Sequence, residues 1–409
     1  MLSTKRVFAL TFILFFVTIS AVALEEELTP KERLGRKLFF DSNLSSPPDQ
    51  ACVACHDPEV GWSGPDSAVN NKGSVYAGAV HTRFGNRKPP SASYAGDSPI
   101  LYRDEEGTFF GGMFWDGRAS GKTLNDPLAE QAQGPFLNPL EHNMPNSKEV
   151  VARVKSSDYA DLFKEVWGPG SLDEDKGDEK TYAKIARSIA AFERSAEVSP
   201  FNSKFDAFWR KAKSEGLDVA SIDESNWKKY RDLGLDEDEV RGLMLFNTKG
   251  ECADCHLLSS EKNKPPLFTD FTYDNLGVPK NPENPFYTMP QEWNKDGKNW
   301  VDKGLGGFLE STTEYAQYAS ENIGKQKVPS LRNVDLRPRE EFVKAYTHNG
   351  FFKSLKEVVR FYNTRDKEGE NWPAAEISMN INKEEMGDLG LTPEEEDAIV
   401  KFMKTLSDT

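Results

Sequence analysis

The sequence is poor in several features that would widen its possible roles. Only four of its 409 residues are cysteine and five are histidine, and all four cysteines fall in two Cys-x-x-Cys pairs, so none is left over for other chemistry. No basic stretch could follow a phosphate backbone, and the net charge of −15 is spread along the chain, which argues against nucleic acid as a partner. Excess acidic charge of this size usually solubilises, although it also suits docking to a basic electron carrier. The one marked apolar run, Val7 to Val17, is short of the ~20 residues a spanning helix needs. Period-two strand patterns are scarce, so a mainly α fold is expected.

What is present is organised around Cys52-Val53-Ala54-Cys55-His56 and Cys252-Ala253-Asp254-Cys255-His256. Two thiols at i and i+3 can both reach the vinyl groups of one porphyrin while the next imidazole turns onto its iron, so each reads as a c-type haem attachment site. A Cys-x-x-Cys pair alone is also compatible with zinc or a disulfide. Two copies that both end in histidine favour two covalent haems.

Lys5-Arg6, the apolar run and Ala21-Val22-Ala23 have the form of an export signal cleaved near Ala23. A soluble periplasmic or cell-surface protein is expected, not membrane-spanning once processed. Residues 1–24 are the signal, and the mature chain is long enough for more than one domain. Thr29-Pro30-Lys31-Glu32 is a capping box with proline at the first helical position. Asp236 and Glu239 bracket a second helix start, where Arg241-Gly242-Leu243-Met244-Leu245-Phe246 echoes Leu34-Gly35-Arg36-Lys37-Leu38-Phe39. Gly-x-x-Leu-Phe followed by Cys-x-x-Cys-His thus occurs twice, with the histidines 200 positions apart. This predicts two cytochrome-like domains, residues 25–198 and 199–409, each wrapped around one haem, with the last helix able to pack back on the first domain.

Residues 61–112 and 265–307 read as long loops, and residues 173–180 as a polar break. Helical periodicity covers residues 147–167 and 182–197, where Ile185, Ile189 and Phe192 share a face. Ser354 with Glu357 opens a helix through Tyr362, and Thr392-Pro393-Glu394-Glu395 opens the last one.

The run Phe114-Trp115-Asp116-Gly117-Arg118-Ala119, then Gln131-Ala132-Gln133-Gly134-Pro135 and Pro139-Leu140-Glu141, resembles the signature of bacterial dihaem cytochrome c peroxidases and their MauG-type relatives. Lys327-Val328-Pro329-Ser330-Leu331-Arg332-Asn333 and His348-Asn349-Gly350 continue the likeness through the second half. The resemblance implies that hydrogen peroxide is cleaved at the haem held by Cys52 and Cys55, with His56 as its proximal ligand. It places Glu141 as the group that moves a proton between the peroxide oxygens and Gln131 as the polar group that holds the ligand, where either alone reads as a surface residue. It makes Trp115 the relay between the haems, where a lone tryptophan reads as core.

At the C-terminal haem, held by Cys252 and Cys255 with His256, the resemblance expects a second ligand fourteen positions after His348, which is Tyr362. Simpler peroxidases carry methionine there and MauG-type enzymes tyrosine. A phenolate favours ferric and higher states, so this haem should lie at low potential and help store oxidising equivalents. His81 is a candidate distal ligand of the first haem, although loop histidines are usually solvated. The family's calcium site draws on an asparagine near Gly85-Asn86-Arg87-Lys88, where this chain offers Lys88, with Asn86 as a substitute. Calcium is a candidate third cofactor, although a lysine in that place counts against it.

Three functions follow. The first is a peroxidase that draws electrons from a small cytochrome or copper protein. The second is a MauG-type oxidase acting on a residue of a substrate protein. The third is a dihaem electron carrier, against which Glu141 and Gln131 count, because a carrier needs no acid–base group in an open pocket.

Overall fold

Both expected capping boxes form at the start of a helix that leads into a Cys-x-x-Cys-His turn. The Thr29 side chain accepts from Glu32 N while Glu32 returns the bond to the Thr29 backbone, and Asp236 and Glu239 repeat the exchange. The computed structural model describes residues 28–173, 178–259 and 264–409; the expected export signal, at residues 1–24, lies outside the described residues.

The helices among the described residues are α1 (Pro30–Phe39), α2 (Ser67–Asn70), α3 (Pro127–Leu137), α4 (Ser147–Lys155), α5 (Ala160–Trp167) and α6 (Asp178–Glu193) in the first half. The second half holds α7 (Lys204–Ser214), α8 (Glu237–Asn247), α9 (Gly304–Leu309), α10 (Leu355–Thr364) and α11 (Pro393–Lys404). Sheet is confined to two antiparallel ribbons, β1 (Tyr102–Arg103) with β2 (Phe109–Phe110) and β3 (Tyr273–Asp274) with β4 (Gln326–Lys327). The fold is helix-rich with little sheet, as expected.

The repeated glycine has a packing reason. α1 crosses α6 so closely that a Cβ on Gly35 would lie 1.9 Å from Ser188 O, and α8 crosses α11 so that a Cβ on Gly242 would lie 1.9 Å from Ala398 O. In both halves the glycine's helix therefore delivers the haem-motif turn from a tight helix crossing. Gly242→Ala should destabilise the protein by about 1–3 kcal/mol, the usual range for overpacking. Denaturant unfolding of the two proteins measures it; an unchanged midpoint would mean that the crossing yields freely.

Apolar side chains gather in two main clusters. One joins Leu34, Leu38 and Phe39 to Ile185, Ile189 and Phe192. The other joins Leu243 and Phe246 to Phe205, Phe268, Ile399 and Phe402. The last helix, α11, lies on α8 and α10, because its apolar face matches theirs, and beyond it Asp408 accepts a hydrogen bond from Tyr94 of the first half.

Residues 147–167 form two helices instead of one. Ser156 and Ser157 interrupt them, and the Ser157 hydroxyl takes the Val154 carbonyl at 2.7 Å. α6 stops at Glu193, four residues early, as Arg194 leaves to bind Asp126 and Gly96 O. The loop-like stretches hold more structure than their composition suggests, including α2, β1, β2, β3 and the start of α9. Residues 174–177 of the polar break lie outside the described residues.

Buried polar contacts brace the second half and tie it to the first. Arg332, fully buried, donates to both Asp206 oxygens at 2.8–2.9 Å and to Pro266 O, fixing the Lys327–Asn333 stretch against the start of α7. Arg87 donates to Asp116 within the first half and to Asp302 across the halves, each at 2.6 Å. Removing one member of such a buried pair leaves the other charge uncompensated.

Candidate functional site

Each Cys-x-x-Cys-His sequence closes into a single tight turn in which the histidine amide bonds back to the first cysteine, His56 N to Cys52 O at 3.0 Å and His256 N to Cys252 O at 2.9 Å. That turn puts both thiols and the imidazole on the wall of one cavity. The first cavity is lined by Cys52, Cys55 and His56, and the second by Cys252, Cys255 and His256. They enclose about 1720 and 1830 Å³ respectively, open mouths included.

Both imidazoles are prepared as metal ligands. His56 Nδ1 lies 3.2 Å from Trp62 O and His256 Nδ1 lies 2.8 Å from Phe268 O. A carbonyl only accepts, so each Nδ1 carries the proton and each Nε2 keeps its lone pair for an iron. Burial pushes both histidines down to about 4, so they are neutral at physiological pH. The four cysteines form no disulfide, and the two pairs line different cavities, so they do not share one tetrahedral ion.

Gln131 and Glu141 line the first cavity together with these ligands. Asp126 caps α3 and aims Gln131 from its second turn. After α3 the chain folds back under Pro135, with His142 N donating to Pro135 O at 3.1 Å, and this turn carries Glu141 to the same wall. Asn138 Nδ2 donates to Glu141 Oε1 at 3.0 Å. Burial raises the Glu141 pKa, opposed by the charge of Arg118 and the Asn138 hydrogen bond.

Trp115 lines both cavities. Phe114 and Gly117 flank it with left-handed backbone, and the bridge from Met113 to Ala119 closes the loop that holds it. Its indole Nε1 donates to Lys88 O at 2.9 Å, and its ring lies edge-on to His348 with centroids 6.4 Å apart.

Tyr362, in the last turn of α10, lines the second cavity with Cys252, Cys255 and His256. Burial holds its hydroxyl well above the usual phenol range, with the cysteines adding to it, and that hydroxyl has no hydrogen-bond partner among the described residues. His348 lines this cavity too, its Nε2 3.6 Å from Glu376.

His81 is the candidate that the structure does not bring in. Its side chain is 71% exposed, its Nε2 lies 2.8 Å from Asp49, and it is absent from the first cavity's lining. Asn86 lines the first cavity, its carbonyl taken by Asn284, and Lys88 lines both cavities.

Three lining residues were not singled out from the sequence. Arg118 was quoted only as part of a motif, and His142, beside Glu141, is buried with Nδ1 on Leu44 O. Glu193 is 4% exposed, burial pushes it up to about 8, and its Oε2 has no partner. Its spacing one turn after Ile189, on the apolar face of α6, was the available signal.

The donor set therefore fits two covalently held haems: in each cavity two thiols and a free imidazole Nε2, and in the second an unpartnered phenol.

Comparison with known proteins agrees with this arrangement. The family described as di-haem cytochrome c peroxidase matches residues 29–214. The chain is 31% identical to the methylamine utilization protein MauG of Paracoccus denitrificans, over 96% of this chain and 93% of the relative. It is 26% identical to the cytochrome-c peroxidase IdrP1 of Denitromonas iodatirespirans, over 93% and 82%. Among solved structures, the diheme peroxidase BthA of Burkholderia thailandensis superposes with a TM-score of 0.72 at 25% identity, over 94% of this chain and 87% of that one.

Proposed function

The chain belongs to the di-haem cytochrome c peroxidase family, and from that premise we propose that it is an exported peroxidase that reduces hydrogen peroxide in its first cavity with electrons relayed from its second. The observation that carries this reading is the convergence of Gln131 and Glu141 on the wall beside Cys52, Cys55 and His56, with Trp115 in the wall shared by both cavities. Each cavity with its apolar cluster is one cytochrome c-like unit, divided near residues 198 and 199. The leader-like residues 1–24 support a periplasmic setting.

When bound, the haems supply the redox chemistry: one receives peroxide and the other holds electrons for it. The protein does the rest. Gln131 holds the peroxide by hydrogen bonding, and Glu141 takes a proton from one oxygen and returns it to the other, so that the departing oxygen leaves as water. Trp115 passes electrons between the sites. Its Nε1–H faces a carbonyl, which cannot accept a proton, so the relay moves charge without moving that proton. The donor is a small cytochrome or copper protein.

A MauG-type oxidation of a residue on a substrate protein is the second reading, and Tyr362 in the second cavity favours it. A pure electron carrier is disfavoured by Glu141.

The test is peroxide consumption by purified protein whose haem content is measured by pyridine haemochrome. Two haems per chain and peroxide-dependent oxidation of a reduced small cytochrome are expected. One haem, or no peroxide consumption, would overturn the reading; consumption that requires a partner protein would move it to the MauG type.

A further inference from the structure

Three lysines line the second cavity among the described residues, and they differ in how their ammonium groups are satisfied. Lys344 is buried and spends its three donors on Val60 O, Asn333 O and Leu336 O, each at 2.9 Å. Lys327 donates to Gly111 O and Phe271 O and lies over the Phe271 and Tyr273 rings. Lys88 donates only to Pro89 O, at 3.0 Å, so two of its three donors have no partner among the described residues.

Lys88 also forms no ion pair there. The nearby carboxylates are engaged elsewhere, Asp116 and Asp302 by Arg87 and Glu376 by His348 and Asn349. Burial pushes Lys88 down to about 8, the mark of a cation short of a counter-charge. Yet Lys88 lines both cavities, and its ammonium lies 6.0 Å from the centre of the Trp115 ring. A partly buried cation is retained when something anionic pairs with it, and no carboxylate among the described residues does.

We propose that Lys88 is the shared counter-ion of the carboxylates carried by the haems in the two cavities, a built-in cation in the wall beside the relay. This rests on the two-haem reading. Haem carries two propionate groups, and the free donors of Lys88 in a wall common to both cavities can meet one from each side. The positive charge then favours the reduced state at both sites, and the indole between them is held by the same residue's carbonyl.

The test is the midpoint potential of each haem in the loaded wild type, Lys88→Met and Lys88→Arg. Removing the cation stabilises the ferric forms, so both potentials should fall in Lys88→Met by about tenfold in the ferrous-to-ferric ratio, about 59 mV for a one-electron couple. Lys88→Arg should keep both near wild type. Unchanged potentials in Lys88→Met, or a fall at one haem alone, would overturn the proposal while leaving haem content and peroxide turnover to judge the enzyme reading. If Lys88→Met does not mature, resonance Raman of the wild type decides. Propionate bending bands of hydrogen-bonded carboxylates on both haems support the proposal, and bands of free propionates overturn it.

Discussion

Glu141→Gln should lower peroxide turnover by about 10²–10⁴-fold, the range that a positioned general acid–base group contributes, while haem content and folding stay those of the wild type. Glutamine keeps the shape and still accepts the Asn138 Nδ2 hydrogen bond, so only the titratable proton is lost. The pH profile gives a second reading of the same group. Burial raises the Glu141 pKa, and the group must be ionised to take the first proton. Wild-type turnover should therefore fall as pH drops through a midpoint above the usual carboxylate range. Steady-state rates across pH should show that acid limb in the wild type and not in Glu141→Gln. Near-normal turnover in the variant would return Glu141 to a surface role.

Tyr362→Met should raise the potential of the C-terminal haem and abolish the long-lived oxidised species expected when fully ferric wild type meets peroxide. The Tyr362 hydroxyl, held neutral by burial in the isolated chain, must give up its proton to bind ferric iron, and the resulting phenolate is a hard anionic donor. A thioether favours ferrous iron instead. Methionine fits the site without a new charge, beside Leu355, Val358 and Val359 on the same helix. Redox titration and stopped-flow absorption after peroxide addition measure both effects. If fully ferric wild type is inert and reacts only once one haem is reduced, Tyr362 does not confer MauG-type behaviour.

Much of the site was legible because its residues lie in short, self-contained patterns. The Cys-x-x-Cys-His turns close on their own backbone, and Gln131 and Glu141 are brought together within one helix and the turn that follows it. The capping boxes of α1, α8, α10 and α11 were equally local. What escaped depends on contacts between distant segments. The place of α11 on α8 rests on a crossing that Gly242 permits, and nothing near residue 393 announces it. His81 shares its loop with residues that line the first cavity, yet its side chain is exposed and lies against Asp49. Lys88 could be noted as a departure from the family pattern, but its position in the wall of both cavities follows from residues some 200 positions away. The break between α4 and α5 turned on serine hydroxyls competing for backbone carbonyls, which periodicity does not register.

The most direct measurement is electron paramagnetic resonance, with optical absorption, on the fully ferric protein before and after peroxide. Two distinct haems are expected. One is high-spin and open where Gln131 and Glu141 line the cavity, and the other is low-spin with histidine and tyrosinate ligands; both spectra should change on adding peroxide without prior reduction. Two low-spin haems that ignore peroxide until reduced would contradict this, because the first cavity would then be closed by a ligand of the chain.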